Sequence, residues 1–384
     1  MIIANMAVQC QKTVMGERMK DNIFGDLSVI SMRGGEKFAG NVDYYLKQWR
    51  NTDESFVINA DCPRFGTGEA KCHLKHSLRG HDVFIIADVF NYGVTYKMYD
   101  MVVPMSPDDH FQDIKRVIGA IAGKARRLSV IIPMLYEGRQ HKRSARESLD
   151  CAVALQELVN MGVTNIITFD AHDPRVQNAI PNHGFDSVQS TYQMVKAIVK
   201  EVPDIIFDKE HVMMISPDEG AMSRSMYYAS VIGLDLGMFY KRRDYTRVVD
   251  GRNPIEAHEY LGKSVEGKDV IVVDDMISSG DSMFDVAAQL KAKGAKRVFV
   301  FATFGLFCNG FERFDEAYKN GIITKIFTTN LNYRKPELLE KPWYHEVNMC
   351  KYVAMLIDTL NHDETISELL NPVNRIHNLL DKIK

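Results

Sequence analysis

Lys268-Asp-Val-Ile-Val-Val-Asp-Asp-Met-Ile-Ser-Ser-Gly-Asp-Ser282 is a short, β-branched apolar run ending in two adjacent carboxylates, Asp274 and Asp275. Small residues follow, Ser278, Ser279, Gly280, Asp281 and Ser282. A helical pattern then begins at once, with Met283, Val286, Ala287 and Leu290 on one face. The stretch predicts a strand, an acidic tip, a tight loop and a helix N-terminus. Backbone N–H groups at such a place bind phosphate, and the helix dipole favours its charge. The two carboxylates suit sugar hydroxyls or a divalent metal. One loop could therefore hold both ends of a sugar phosphate.

Strand-like and helix-like segments alternate on both sides of this stretch, which is the α/β pattern. His81–Asp88, Ser129–Pro133 and Asn165–Asp170 read as strands, with helices over Phe111–Ala125 and Glu147–Met161 and a cap at Gly162. A helix near Val188–Val199, strands His211–Ser216 and Leu236–Tyr240, and a strand Arg297–Thr303 after the stop at Gly294 follow. Each half has enough βα units for one parallel sheet, and each has an acidic strand end, at Asp170 and at Asp274-Asp275. The expected division is 1–187 and 188–384. No Pro/Gly/Ser-rich linker marks it, so a large interface between the halves is expected. The tail, Val347–Leu360 and Thr365–Ile383, reads as two amphipathic helices broken at Pro372.

A chain of 384 residues predicts two domains, and 46% hydrophobic with 25% charged residues is the composition of a globular protein. The formal net charge of -3 provides no basic field for nucleic acid. No apolar run reaches the roughly 20 residues that span a bilayer. Met1–Cys10 has no basic n-region and no long apolar core, so no signal peptide is predicted. The six cysteines contain no CxxC and fit a reducing, cytoplasmic setting. Cys62, Cys72, His73, His76 and His81 carry zinc-type side chains, but their spacing matches no common structural site.

Several further loops follow predicted strands, where open α/β sheets bind ligands. In Asp170-Ala-His-Asp173, His172 could ligate a divalent ion or orient a phosphate; a loop histidine beside a helix cap is the plainer alternative. In Ser216-Pro-Asp-Glu-Gly220, Asp218 suits a metal or a sugar hydroxyl, and equally a Pro-Asp turn with Asp as cap. The basic loop Gly138–Arg146 offers Arg139, Lys142, Arg143 and Arg146 to a polyphosphate, with a solvated basic loop or a nucleic-acid patch as the alternatives. Lys241–Arg247 reads as a cationic flap, or as a charged hinge. Walker A, GxSxG, HExxH and kinase HRD patterns are all missing.

In order along the chain, these loops resemble the ribose-phosphate pyrophosphokinase (phosphoribosyl pyrophosphate synthetase) family. The likeness runs from about Ser28 to Asp358. Val272–Ser282 is similar to the family's ribose-5-phosphate loop and Phe169–His172 to its Asp-Leu-His metal segment. Ser216–Gly220 is similar to its Ser-Pro-Asp-x-Gly segment. Arg139-Gln140 resembles the Arg-Gln-Asp-Lys ATP loop and Phe65–Glu69 the adenine segment. Lys241 and Arg243 fall on its Lys-x-Arg catalytic loop.

The resemblance implies two tandem phosphoribosyltransferase-like domains with a C-terminal helical extension. It implies transfer of pyrophosphoryl from Mg²⁺-ATP to O1 of ribose 5-phosphate, with release of AMP. His172 and Asp218 would hold Mg²⁺, and Lys241 and Arg243 would act in the transition state. Phe65 and Arg139 would sandwich adenine, near Glu69 and Gln140. Asp274 and Asp275 would take sugar hydroxyls, and Ser278, Ser279, Gly280, Asp281 and Ser282 would hold the 5-phosphate. A homo-oligomer, a hexamer in the family, is implied too. A silent regulatory homologue and a phosphoribosyltransferase are the alternatives. This chain departs from the pattern at Thr67-Gly68, at His141, and at Asp281, which sets a carboxylate beside the expected phosphate. Met1–Leu27, Asn91–Pro107 and the tail have no clear counterpart.

Overall fold

The computed structural model describes residues 23–243 and 255–382. In the first half the strands are β1 (Leu27–Ser31), β2 (Val57–Asn59), β3 (Asp82–Ile86), β4 (Thr95–Met98), β5 (Met101–Pro104), β6 (Arg127–Ile131), β7 (Asn165–Phe169) and β8 (Gly184–Val188). All but β4 and β5 form one parallel sheet, in the order β2-β1-β3-β6-β7-β8. Strands β4 and β5 make a separate antiparallel ribbon. In the second half β9 (Val212–Ser216), β10 (Asp235–Arg243), β11 (Ile255–Leu261), β12 (Asp269–Ile277), β13 (Arg297–Gly305), β14 (Lys325–Thr329) and β15 (Tyr344–Val347) form a second sheet. Its order is β11-β10-β9-β12-β13-β14-β15, parallel except for the β10–β11 pair.

The helices are α1 (Glu36–Arg50), α2 (Pro107–Ile121), α3 (Asp150–Asn160), α4 (Thr191–Glu201), α5 (Met222–Ile232), α6 (Asp281–Ala292), α7 (Glu312–Lys319), α8 (Cys350–Asn361), α9 (Ser367–Leu370) and α10 (Val373–Leu380). Parallel strands covered on both faces need unbroken apolar runs, and Val270–Val273 is buried throughout. Helix α2 starts before the expected Phe111. Ser106 and Asp109 form a reciprocal capping box there, with Pro107 at the first turn. It stops at Ile121 because Ala122 turns left-handed, at φ 54°. Val188 closes β8 instead of opening a helix, and α4 starts at Thr191. Strand β10 does not end at Tyr240. Antiparallel pairing with β11 carries it through Lys241 to Arg243, with a register shift between Arg242 and Arg243.

The two sheets share a core. Val42, Leu46 and Phe169 of the first half lie in one buried cluster with Ile271, Phe301, Val353 and Ile357 of the second. The tail supplies much of this joint, since α8 packs along α1. At its end Arg50 donates to Asp358 at 2.9 Å and to Asn361 at 2.8 Å. Arg127 forks onto Asp82 and also reaches the Leu360 carbonyl, at 2.6 Å. No described helix is long and apolar enough to cross a membrane.

Candidate functional site

Strand β7 delivers Asp170, Ala171 and His172 to the carboxyl edge of the first sheet. Asp170 sits at φ 45°, a left-handed conformation that Asp tolerates better than most side chains. That turn is fixed by Asp170 N donating to the Val188 carbonyl and Ala171 N to the Ser187 hydroxyl. Strand β12 delivers Asp274 and Asp275 to the same edge of the second sheet. The two loops meet: His172 Nδ1 lies 2.7 Å from Asp275 Oδ2.

Below them is a buried ion pair. Arg224 Nε, from the first turn of α5, donates to Asp170 at 2.7 and 2.8 Å, and the Thr303 hydroxyl of β13 donates to the same carboxylate at 2.7 Å. Arg224 Nη1 also stands 4.0 Å from Asp274. Asp170 lies in the first half, and Arg224 and Thr303 in the second. The acidic edge is therefore bolted across the interface.

These contacts set the charges. The Asp275 hydrogen bond raises His172, outweighing burial. Burial opposes ionisation of Asp275, yet His172 and Arg224 prevail and its carboxyl sits at about 2. Burial and the neighbouring Asp275 charge push Asp274 well up, although its side chain remains 35% exposed at the edge. The pair thus behaves as one strong and one weak acid.

A cavity of about 130 Å³ opens here, with Gly138, Arg139, Asp170, His172, Asp275 and Phe304 among its walls. It is smaller than the roughly 300 Å³ at which small-molecule pockets begin, so a nucleotide would extend beyond it. Phe65, Glu69, Gln140 and Asp218 do not line it. Phe65 is exposed on a turn whose Gly66 carbonyl accepts from Tyr99 N, and Glu69 accepts from Thr67 at 2.9 Å. Gln140 donates to the Ser148 carbonyl at 2.9 Å. Asp218 follows β9, next to β12 in the sheet, and its Oδ1 accepts from Ala221 N at 3.1 Å ahead of α5. That is the turn-and-cap geometry the Pro-Asp pair allowed.

Ser278, Ser279 and Gly280 run from β12 into α6, where Gly280 is the N-cap at φ 87°. A Cβ there would stand 2.7 Å from the Phe314 ring, so only glycine fits both the angle and the space. Asp281 and Ser282 form the first turn. Asp281 accepts from Ser279 Oγ at 2.7 Å and from Arg313 of α7. The Ser279 and Arg313 contacts hold its carboxyl below the usual range.

The backbones of Lys241 and Arg243 lie on β10, opposite His258 and Ile255. Their side chains and residues 244–254 lie outside the described residues, and with them all of the cationic flap expected over Lys241–Arg247 except the backbone of 241–243. Cys62 and Cys72 face each other across a ribbon closed by the Asp61–His73 and Arg64–Ala70 bridges. His81 pairs instead with Ser28 Oγ, at 2.8 Å. Arg224, Thr303 and Arg313 escaped the sequence reading, because an arginine or threonine inside an element carries no local signal of what it will face.

Among the described residues no three His, Cys, Asp or Glu side chains are grouped around one point. Mg²⁺ does not need such a cage: it binds one or two carboxylates plus substrate phosphates and water. His172, oriented through Nδ1 by Asp275, and the carboxylate of Asp218 after the neighbouring strand β9 are side chains that suit that mode.

Residues 27–162 match the family model described as the N-terminal domain of ribose phosphate pyrophosphokinase, and residues 186–311 match the phosphoribosyl transferase domain. Ribose-phosphate pyrophosphokinase of Vibrio parahaemolyticus is 27% identical over 340 residues, covering 87% of this chain and 98% of the relative. The enzyme of that name from Ureaplasma parvum is 28% identical over 305 residues, covering 78% of this chain and 82% of the relative. In fold, the chain is similar to phosphoribosylpyrophosphate synthetase from Mycobacterium smegmatis, with a TM-score of 0.72 at 19% identity over 88% of this chain and 99% of that one.

Proposed function

The chain belongs to the ribose-phosphate pyrophosphokinase family, and on that premise we propose that it makes phosphoribosyl pyrophosphate and AMP from ATP and ribose 5-phosphate. The observation that supports this best is the meeting of His172 and Asp275, 2.7 Å apart and drawn from the two halves. A phosphoribosyltransferase needs only one such domain. Here residues 1–187 would carry the ATP loops and 188–384 the acceptor and catalytic loops.

In the reaction O1 of the sugar attacks the β-phosphorus of ATP. The β-phosphorus–oxygen bond to AMP breaks, and O1 loses its proton. Charge spreads over the non-bridging oxygens. When bound, Mg²⁺ would neutralise part of that charge, with His172 and Asp218 as its proposed protein ligands. Asp274 and Asp275 orient the sugar hydroxyls. The amides at Gly280–Ser282 and the hydroxyls of Ser278 and Ser282 take the 5-phosphate at the α6 N-terminus, with the Ser279 hydroxyl holding Asp281 beside it. Lys241 and Arg243 act on the transferring group from the end of β10. Arg139 and Gln140 face the nucleotide. Phe65 and Glu69 do not line the cavity that Arg139 lines. Completion of an adenine sandwich of Phe65 and Arg139 by a second copy of the chain, in a homo-oligomer such as a hexamer, belongs to the same reading. A cytoplasmic setting belongs to the same proposal.

The test is incubation of the purified protein with Mg²⁺, ATP and ribose 5-phosphate. AMP and a pyrophosphorylated sugar should appear in equal amounts. ADP as the sole nucleotide product would make it an ordinary kinase, and no product at all would favour a silent homologue.

A further inference from the structure

Asp281 places a carboxylate in the first turn of α6, where the proposed acceptor site must receive a phosphate. Its charge is already met. Arg313 Nη1 donates to Asp281 Oδ1, and the same guanidinium lies 4.7 Å from the Phe284 ring centroid. Phe284 is three residues along α6 from Asp281, so both contacts fall on one face of the helix. Arg313 is held there by its neighbour. Phe314, which is 2% exposed, packs against Phe284 with ring centroids 4.7 Å apart and fills the space beneath Gly280.

We propose that Arg313 is a positioning residue of the acceptor loop: it neutralises Asp281 so that the α6 N-terminus can take the phosphate of the sugar. This rests on the functional reading above. An unpaired carboxylate beside a phosphate dianion repels it and cancels part of the positive potential that the helix N-terminus offers it. With Arg313 in place, the loop presents its amides and the hydroxyls of Ser278 and Ser282 with no net added charge, while the Ser279 hydroxyl stays on Asp281. Asp281 and Arg313 work as a unit.

The experiment is a four-protein series, wild type, Arg313→Ala, Arg313→Lys and the double variant Asp281→Asn/Arg313→Ala, assayed at low salt. Arg313→Ala should raise KM for ribose 5-phosphate about fivefold or more, with kcat and KM for ATP little changed. Added salt should shrink the difference, since the effect is electrostatic. Arg313→Lys should recover most of the loss, and the double variant should bring KM back toward wild type. An unchanged KM in Arg313→Ala overturns the proposal. So does a double variant no better than the single, which would mean that Arg313 touches the phosphate directly. Thermal melts exclude misfolding of the alanine variant, and the lysine variant keeps the question open to test if it misfolds. Calorimetric binding of ribose 5-phosphate to the same proteins separates the two readings. A wild type that binds the sugar phosphate but forms no AMP sinks the pyrophosphokinase reading, while the binding series still decides the role of Arg313. A wild type that does not bind it sinks both.

Discussion

His172 and Asp275 are 103 residues apart in the chain, yet their side chains meet at 2.7 Å across the boundary between two sheets. The contact ties the charge of one half to that of the other. Asp275→Asn should lower the pKa of His172, read as the pH midpoint of its ring resonances by NMR. The sign for stability follows from both partners. His172 is raised in the folded state, so its contribution is complete below the ordinary histidine value of about 6.5 and is lost as pH rises through the folded value. Asp275 sits at about 2, so its contribution is complete above the ordinary carboxylate value of about 3.9 and is lost as pH falls toward 2. The pair should stabilise most between about pH 4 and 6.5. A histidine midpoint unmoved by Asp275→Asn would contradict the assignment.

Gly280→Ala should damage the acceptor loop. The added methyl meets both an unfavourable φ of 87° and the Phe314 ring at 2.7 Å. A cost of about 1–3 kcal/mol is expected, since left-handed strain and overpacking each contribute on this scale. Chemical denaturation measures it. Ribose 5-phosphate binding should weaken as well, because the amides that follow Gly280 shift with it.

Asp358→Ala should be among the most destabilising tail substitutions. Asp358 is 4% exposed and pairs at 2.9 Å with Arg50, itself 14% exposed. Removing one partner of a buried pair leaves the other charge uncompensated, at about 3–5 kcal/mol. Urea melts should show the loss. If the tail were a loose appendage, the same substitution would cost a few tenths of a kcal/mol.

Lys241→Ala is expected to lower kcat by about 100-fold or more while leaving ribose 5-phosphate affinity within about threefold. A cation that meets charge formed only in the transition state contributes little to ground-state binding. Steady-state kinetics alongside calorimetry separates the two effects. If affinity falls as far as kcat, Lys241 is a binding residue.

Much of the fold is legible in the sequence. The run Val270–Val273 was readable as a covered strand because parallel sheets demand unbroken apolar segments. The loops after β7, β9 and β12 stood out because acidic and small residues collect where a strand hands over to a helix. Boundaries were less legible. Helix α2 begins at Pro107 through a side-chain capping box, and β10 runs on to Arg243 because the next strand, β11, pairs antiparallel with it. The tail read as two amphipathic helices, but nothing in its pattern named α1 as the surface that α8 would cover.

Local chemistry, then, was decided by sequence: which strand ends carry carboxylates, where a glycine must turn left-handed, which loop can bind an anion. Those properties depend on residues within a few positions of one another. The partners were decided by tertiary structure. Asp170 met Arg224 and Thr303, His172 met Asp275, and Asp281 met Arg313. A charged side chain specifies that it needs a counter-charge or water, and not where either will come from. Packing of the two sheets on a shared core brings the first two sets of groups within hydrogen-bonding range, and packing of Phe314 of α7 against Phe284 of α6 does so for Asp281 and Arg313.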